Sequence, residues 1–140
     1  WSVPAERMKI RKPHRVPLSH PGMAILAHQT ARHNHHYVFP GGRPERPLSN
    51  MAMLKLIRTQ FPKTDATPHG FRSTFRDWAG EQTRFDAQTV EFCLAHTLPN
   101  PTQAAYLRTD FLAERRRIMD EWAHFAVPEA PRDNLNGRLQ

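Results

Sequence analysis

Apolar side chains recur every three or four residues over much of the chain, a spacing that collects them on one side of an α-helix. Residues suited to cap a helix stand before four of these segments, and they are Ser49 or Asn50, Thr67, Asp86 and Asn100. Proline follows Thr67 and Asn100, at a position that fits the first helical turn. The pattern predicts helices over about 21–31, 50–60, 68–81, 87–96, 101–108 and 110–126.

Several predicted helices have a recognisable buried side. In the helix over 68–81 the apolar residues at i, i+4 and i+7 are Phe71, Phe75 and Trp78. A neighbouring polar stripe, at i, i+3 and i+7, consists of His69, Arg72 and Arg76. The apolar side of the last helix consists of Phe111, Ile118, Trp122 and Phe125. Its charged residues 114–117 are predicted to be solvated.

The beginning of the chain has a strand-like pattern. Residues 1–6 and 14–19 are short extended segments with internal prolines, which predicts edge-like strands. Between them Arg7, Lys9 and Arg11 alternate with apolar residues, so in extended geometry they share one face. We interpret this region as a β-hairpin with a basic tip; a solvated basic loop is the alternative. The predicted fold is mainly α with a small antiparallel β-hairpin (α+β).

Histidines are concentrated between His28 and His36. A zinc site needs ligands that converge, and this segment contains no cysteine and no pair of histidines spaced at i, i+4. We therefore predict a polar loop here in preference to a metal site. The following residues, 37–49, predict a brief extended piece, a Gly–Gly turn and a proline-rich loop.

Composition limits the class of protein. The 140 residues suffice for one domain, and 39% hydrophobic with 24% charged residues is typical of a soluble globular protein. No apolar run approaches the ~20 residues that span a bilayer, and no signal-peptide pattern opens the chain. Cys93, the only cysteine, is predicted to be a buried, inert thiol. A single cysteine cannot form a disulfide within the chain, which fits a reducing cytoplasm. The net charge of +7 points to a polyanion such as nucleic acid.

Four residues form a set suited to phosphate chemistry, and they are His69, Arg72, His96 and Tyr106. Arginine pairs bidentately with phosphate oxygens, and histidine can hydrogen-bond an oxygen or move a proton near neutral pH. A tyrosine that attacks phosphorus needs its phenolate and the pentavalent phosphate neutralised, which this set could do without a metal. Each residue alone is better explained by an ordinary surface or core position. The joint arrangement favours a site.

With these residues the sequence resembles the tyrosine recombinases, and within them the integrases of temperate phages and genomic islands. The matching motifs of the helical part are His69-Gly70-Phe71-Arg72, Leu94-Ala95-His96, Asn100 through Tyr106, Glu114-Arg115-Arg116 and Trp122-Ala123. The catalytic hairpin of that subgroup is similar to Pro4-Ala5-Glu6-Arg7-Met8-Lys9 and Val16-Pro17-Leu18-Ser19. The resemblance runs from Trp1 to about Phe125, which is nearly the whole chain.

The resemblance implies a strand-exchange enzyme with chemistry like that of a type IB topoisomerase. Tyr106 would attack a DNA phosphodiester, giving a 3′-phosphotyrosyl link and a free 5′-hydroxyl. Arg72 would bind the non-bridging oxygens, His69 would assist proton transfer at the nucleophile, and His96 would donate a hydrogen bond to the phosphate. Lys9 would be the general acid for the leaving 5′-oxygen. Neither a metal nor another cofactor is implied.

The resemblance also implies partners and a domain organisation. The partners would be double-stranded DNA attachment sites and, on that DNA, further copies that complete a homotetramer; no membrane is involved. Residues 1–126 would be part of an integrase catalytic domain, with the hairpin over 1–19, the helical part over 20–126 and a C-terminal tail over 127–140. The basic residues expected to contact DNA are Arg7, Arg11, Lys12, Arg15 and Arg76.

One departure from the family affects the expected activity. The family has a second phosphate-binding arginine in a helix before the sheet, and no segment ahead of Trp1 supplies it. We therefore expect residues 1–140 alone to cleave DNA poorly and not to recombine it. Two other classes remain as alternatives: a catalytically inert, basic DNA-binding module, and a metal-dependent nuclease that uses the histidines between His28 and His36.

Overall fold

A computed structural model of the protein describes residues 1–32, 36–43, 45–96 and 109–127. In these ranges five α-helices accompany a two-stranded antiparallel sheet, so the predicted mainly α fold with a small hairpin is confirmed. The elements are β1 (Ser2–Val3), a 3-10 helix (Ala5–Arg7), β2 (His14–Arg15), α1 (His20–Arg32), α2 (Ala52–Gln60), α3 (Gly70–Gln82), α4 (Ala87–Cys93) and α5 (Leu112–Ala126). Two predicted segments lie outside the described residues. They are the helix over 101–108, which carries Tyr106, and the C-terminal tail except for its first residue, Val127.

The hairpin is shorter than its sequence suggested. Ser2 pairs with Arg15 and Val3 pairs with His14, and the Val16 N–H donates to the Trp1 carbonyl at 2.7 Å. Pro4 follows β1 directly, and its carbonyl accepts from the Arg7 N–H at 3.1 Å, which closes the 3-10 helix. Turns and bends then continue to residue 12. The prediction that basic side chains alternate along one face of an extended strand is therefore wrong for Arg7, Lys9 and Arg11.

The core lies between α3, α4 and α5. Its buried apolar residues are Phe75, Trp78, Ala79, Val90, Leu94 and Ile118, with Phe85, Cys93, Met119 and Trp122 packed against them. The ring of Phe75 meets Trp122 edge-on, with centroids 5.4 Å apart. Aromatic pairs of this kind add stabilisation to the burial of apolar area. The predicted stripe of α3 is thus confirmed for Phe75 and Trp78.

Phe71, the third residue of that predicted stripe, is 52% exposed. The side chains that α3 buries begin one turn later, at Phe75. Phe71 therefore lies beyond the packed part of the helix, although it shares the side that faces the core. The prediction of a buried Phe71 is wrong for this reason.

The last helix contains a further correction. Residues 114–117 were predicted to be solvated, and this holds for Glu114, Arg116 and Arg117, but Arg115 is only 1% exposed. Arg115 lies three residues before the fully buried Ile118, so the two share a side of α5. Its long side chain reaches β2, where it finds hydrogen-bond acceptors.

The remaining helices are peripheral, and none of their residues is buried. The start of α2 differs from the prediction, because its N-cap is Met51 and no side chain caps it. Ser49 contributes to the start of α2 only through its backbone carbonyl, which accepts a hydrogen bond from the Ala52 N–H at 3.0 Å. The end of α2 at Gln60 agrees with the pattern. Across the described ranges, no helix is both long and apolar enough to cross a membrane.

The buried position of Ile118 predicts a large loss of stability when its side chain is truncated. Ile118→Ala should lower the free energy of unfolding by about 2–5 kcal/mol, because it leaves a cavity between α3, α4 and α5. Ile25, which is 53% exposed on α1, provides the matched control. Ile25→Ala should cost about 1 kcal/mol or less. Urea unfolding of both variants measures this, and equal losses would contradict the assigned core.

Candidate active site

The structure brings Arg72 and His96 together from two helices. Arg72 lies in the first turn of α3, and His96 follows the end of α4. The Nη2 atom of Arg72 donates to the Leu94 carbonyl at 2.5 Å and lies 3.0 Å from Nε2 of His96. Both side chains are exposed, so this contact is accessible to a ligand.

A specific turn at the end of α4 gives His96 this position. The Ala95 N–H donates to the Phe92 carbonyl, and the His96 N–H donates to the Glu91 carbonyl, each at 3.1 Å. These two bonds are the pattern of a Schellman motif, which needs a left-handed residue at the position of Ala95. Ala95 has a φ of 56°, so it adopts this conformation without being glycine. The chain thereby reverses, and His96 lies beside Glu91.

Glu91 is a site residue that the sequence reasoning missed. Its Oε2 lies 2.5 Å from Nδ1 of His96, and its Oε1 accepts from Nε of Arg76 at 2.7 Å. The hydrogen bond from Arg76 is the main reason that the pKa of Glu91 is lowered, and the bond to His96 adds to it. The signal in the sequence was a single acidic residue in α4, five residues before a histidine. A spacing of five residues does not by itself predict a contact, because the two side chains meet only through the turn at Ala95.

The contacts of His96 are satisfied together by one neutral tautomer. With its proton on Nδ1, the ring donates to Glu91 and accepts at Nε2 from Arg72. This assignment follows from the hydrogen-bond partners. In this arrangement Nε2 is an acceptor, so it can donate to a phosphate oxygen only after it gains a proton and the Arg72 guanidinium turns away.

Among the described residues, no hydrogen bond joins the other predicted catalytic residues to this pair, and one of them lies outside the described ranges. His69 is the exposed residue just before α3, and within the described residues no hydrogen bond joins its ring to Arg72 or His96. Thr67 accepts from the Gly70 N–H at 3.0 Å and so fixes this entry to the helix. Lys9 is exposed in the turn after the 3-10 helix. Tyr106 lies outside the described residues.

Two of the five basic residues predicted to contact DNA form ion pairs within the chain. Arg15 donates to Asp110 through Nε and Nη2, at 2.8 and 2.7 Å, and Arg76 pairs with Glu91. The side chains of Arg15 and Arg76 are 54% and 63% exposed, so both pairs are in contact with solvent. Arg7, Arg11 and Lys12 are exposed around the tip of the hairpin.

A second polar cluster surrounds the buried Arg115. Its Nη2 donates to the Arg15 carbonyl and lies 3.2 Å from Nε2 of His14, while its Nη1 donates to the Asp110 carbonyl at 3.2 Å. Burial, and then the charge of Arg115, lower the pKa of His14, whereas Asp110 opposes the shift. Burial also raises the pKa of the nearby Cys93 thiol. Cys93 is half-buried, so the prediction of a buried thiol holds only in part, and its inertness stays a prediction.

The structure describes only some of the histidines between His28 and His36, the segment of the alternative metal site. His28 lies within α1, which extends to Arg32, and residues 33–35 are outside the described ranges. In the described part of the chain, no group of three or more His, Cys, Asp or Glu residues is placed to hold a metal ion.

Known proteins that are similar to this chain are integrases of phages and prophages. Prophage integrase IntZ of Escherichia coli strain K12 is 37% identical over 123 residues, which make up 87% of this chain and 30% of IntZ. Prophage integrase IntA of the same strain is 31% identical over 125 residues, or 88% of this chain and 30% of IntA. The integrase of enterobacteria phage P4 is 30% identical over 142 aligned positions, covering 89% of this chain and 32% of that protein.

These comparisons confirm the predicted resemblance to phage and prophage integrases. The chain spans about 30% of the length of these relatives. No profile of a known protein family and no solved structure matches the chain.

The left-handed conformation of Ala95 predicts that glycine improves this turn. Left-handed geometry costs a non-glycine residue about 1–2 kcal/mol, and glycine loses part of that gain because its unfolded chain is more flexible. Ala95→Gly should therefore raise the free energy of unfolding by up to about 1 kcal/mol. The same substitution at Ala27, which is exposed in the middle of α1, should lower it by about 1 kcal/mol. Chemical denaturation compares the two signs, and a destabilised Ala95→Gly would contradict the Schellman geometry.

The environment of His14 predicts a dependence of stability on pH. Because the pKa of His14 is lowered, the unfolded chain takes up a proton near the usual value of about 6.5 while the folded chain does not. This contribution to stability is complete above that pH and is lost as the pH falls toward the lowered pKa. His14→Gln, which retains an acceptor, should flatten the fall of the unfolding free energy between about pH 7.5 and 5.5.

Asp110→Asn provides the comparison for this measurement. Its ion pair with Arg15 lowers the pKa of Asp110, so this contribution is complete above the usual carboxyl value and is lost only at more acidic pH. Asp110→Asn should therefore remove the acidic part of the profile. Because the Asp110 charge also raises the pKa of His14, this variant should steepen the fall in the histidine range, which is the opposite of the change in His14→Gln. If the unfolding free energy of His14→Gln falls as steeply as that of the unmodified chain between about pH 7.5 and 5.5, His14 is not held neutral in the folded protein.

Proposed function

We propose that this chain is part of the catalytic domain of a tyrosine recombinase, which integrates a prophage or genomic island by site-specific recombination. The observation that carries the proposal is the contact between Arg72 and His96, 24 residues apart in sequence, in a chain similar to phage integrases. The activity, DNA substrate and assembly of the whole protein are all part of the proposal, because the chain covers about 30% of its relatives.

Arg72 is proposed to bind the scissile phosphate. Its contacts with described residues use both N–H groups of Nη2. Because each bidentate face of a guanidinium includes Nη2, Arg72 would exchange its contact with His96 for the paired contact with the non-bridging oxygens. The exposed position of Arg72 on the first turn of α3 admits a DNA backbone. The amide dipoles at this helix end also favour an anion.

His96 is proposed to change from acceptor to donor when the phosphate binds. The phosphate draws Arg72 away from Nε2, and the ring takes up a proton there. The imidazolium then donates from Nε2 to a phosphate oxygen and from Nδ1 to Glu91. The Glu91 carboxylate lies 2.5 Å from Nδ1 and so accepts the hydrogen bond that the imidazolium donates there.

The cleavage step needs three more residues, whose roles rest on the resemblance to the family. The Tyr106 hydroxyl oxygen attacks phosphorus while the bond from phosphorus to the 5′-oxygen breaks. His69 assists removal of the phenolic proton, and Lys9 donates a proton to the leaving 5′-oxygen. The products are a 3′-phosphotyrosyl bond and a free 5′-hydroxyl. The reverse attack by a 5′-hydroxyl of another strand completes the exchange.

The partners proposed for the whole protein are double-stranded DNA attachment sites and three further copies of the protein, acting in the bacterial cytoplasm. The exposed arginines and lysine at the tip of the hairpin, together with Arg15 and Arg76, would contact phosphates beside the scissile bond. Contacts of this type give affinity that falls with salt concentration and carry no sequence information directly.

A covalent protein–DNA product tests the function. The full-length protein, incubated with supercoiled plasmid in EDTA, should relax the plasmid and yield a DNA 3′-phosphate attached to Tyr106. The chain has two tyrosines, so Tyr37→Phe is the matched control for Tyr106→Phe. Relaxation and the phosphotyrosyl peptide should disappear in Tyr106→Phe and persist in Tyr37→Phe. Arg72→Lys should slow cleavage by about 100-fold, because lysine cannot replace the paired donors.

The alternatives give different results in the same experiment. Cleavage that EDTA abolishes and that Tyr106→Phe leaves intact would indicate a metal-dependent nuclease. Salt-sensitive DNA binding by a folded protein without a covalent product would indicate an inert DNA-binding module. Either result would overturn the proposed recombinase.

A further inference from the structure

The proposed reaction does not account for the buried arginine on α5. Arg115 is 1% exposed, and no part of it is accessible to a DNA phosphate. Removing a guanidinium from water is costly, and a hydrophobic side chain of similar volume is often as stabilising or more so. A buried charge in this position therefore calls for a role that an apolar side chain could not perform.

The contacts of Arg115 join three segments that carry the proposed catalytic residues. Its hydrogen bonds to His14 and the Arg15 carbonyl hold β2, the second strand of the hairpin that carries Lys9. Its bond to the Asp110 carbonyl holds the chain four residues after Tyr106. The Cys93 thiol beside it belongs to the last turn of α4, three residues before His96.

The chemistry of arginine suits this junction. The planar guanidinium offers donors in several fixed directions, and here they serve two backbone carbonyls and one imidazole nitrogen. An aliphatic residue would fill the space but would leave these part-buried acceptors without their donor. Lysine would retain the charge without the planar fork. The exposed pair of Arg15 with Asp110 joins the same two segments, but a solvent-exposed pair contributes little.

We propose that Arg115 is a positioning residue, which fixes the Lys9 hairpin against the chain that follows Tyr106 and the end of α4. The inference rests on the proposed function, because it assigns Arg115 to the alignment of the general acid with the leaving oxygen. Arg115 does not touch the substrate. Its loss should therefore impair protonation of the 5′-oxygen more than binding of the phosphate.

A substrate with an altered leaving group tests this role. A 5′-bridging phosphorothiolate leaves as a thiolate without needing a proton, so it bypasses the general acid. Single-turnover cleavage by the full-length protein is measured on the DNA to which Tyr106 becomes attached, with oxygen or sulfur at the bridging position. Arg115→Lys should cleave the oxygen substrate about 100-fold more slowly, the loss expected when a catalytic group is misplaced. Cleavage of the sulfur substrate should stay within about threefold of the unmodified protein.

Two control variants separate this inference from the proposed function. Lys9→Ala should show the same rescue by sulfur, and the exposed neighbour substitution Arg116→Lys should leave both rates unchanged. Rescue of Lys9→Ala without rescue of Arg115→Lys would overturn the positioning role and leave the recombinase intact. Absence of rescue for Lys9→Ala would instead remove Lys9 as the general acid, and with it the catalytic part of this inference.

Amide hydrogen exchange of the 140-residue chain tests the anchoring itself, independently of DNA cleavage. Arg115→Lys should speed exchange at Val16, whose N–H bonds to Trp1 across the hairpin, while the amides of α3 around Phe75 stay protected. If Arg115→Lys does not fold, His14→Ala removes one bond of the junction from the hairpin side and should give the same pattern. Unchanged exchange of the Val16 amide in a folded variant would overturn the proposal.

Discussion

The candidate site depends on the packing of α3 against α4. Phe75 and Trp78 of α3 share the buried core with Val90 of α4 and with Leu94, the residue directly after α4, and this packing fixes how the two helices are placed. Arg72 stands one turn before Phe75, and the turn at Ala95 comes directly after Leu94. The packing of the apolar core therefore determines where the exposed side chains of Arg72 and His96 lie. A well-packed core has low compressibility, so it can hold surface groups at fixed distances.

Charge at the site is organised by one carboxylate. Glu91 lies between the guanidinium of Arg76 and the imidazole of His96, and Arg72 contacts the far nitrogen of that ring. Without Glu91, three groups that are or can become cationic would face one another. With it, the cluster retains a net positive charge, and His96 has a partner in both of its protonation states. Such an arrangement can exchange its internal contacts for those of a phosphate without leaving an unpaired charge.

The sequence patterns predicted the local features well and the long-range contacts poorly. Periodic apolar residues revealed α3, α4 and α5, and Asp86 does cap α4 by accepting from the Thr89 N–H. Arg115 was placed on the surface, because its burial depends on a carbonyl 100 residues earlier in the chain. Glu91 was missed, since only the left-handed turn at Ala95 brings His96 back to it. Helical spacing describes one element at a time and does not encode such contacts.

The buried Arg115 and the exposed Arg15 and Arg76 have different roles. Arg115 is buried, and it donates to two backbone carbonyls and lies near His14 and the Asp110 carboxylate, so it has no free donor face toward solvent. Arg15 and Arg76 are paired with carboxylates at the surface, where solvent screens such a pair. Because both arginines are exposed, a DNA phosphate can replace the carboxylate partner without removing either arginine from water. The internal ion pairs of Arg15 and Arg76 are therefore compatible with their predicted contact to DNA, whereas the buried contacts of Arg115 exclude it from that role.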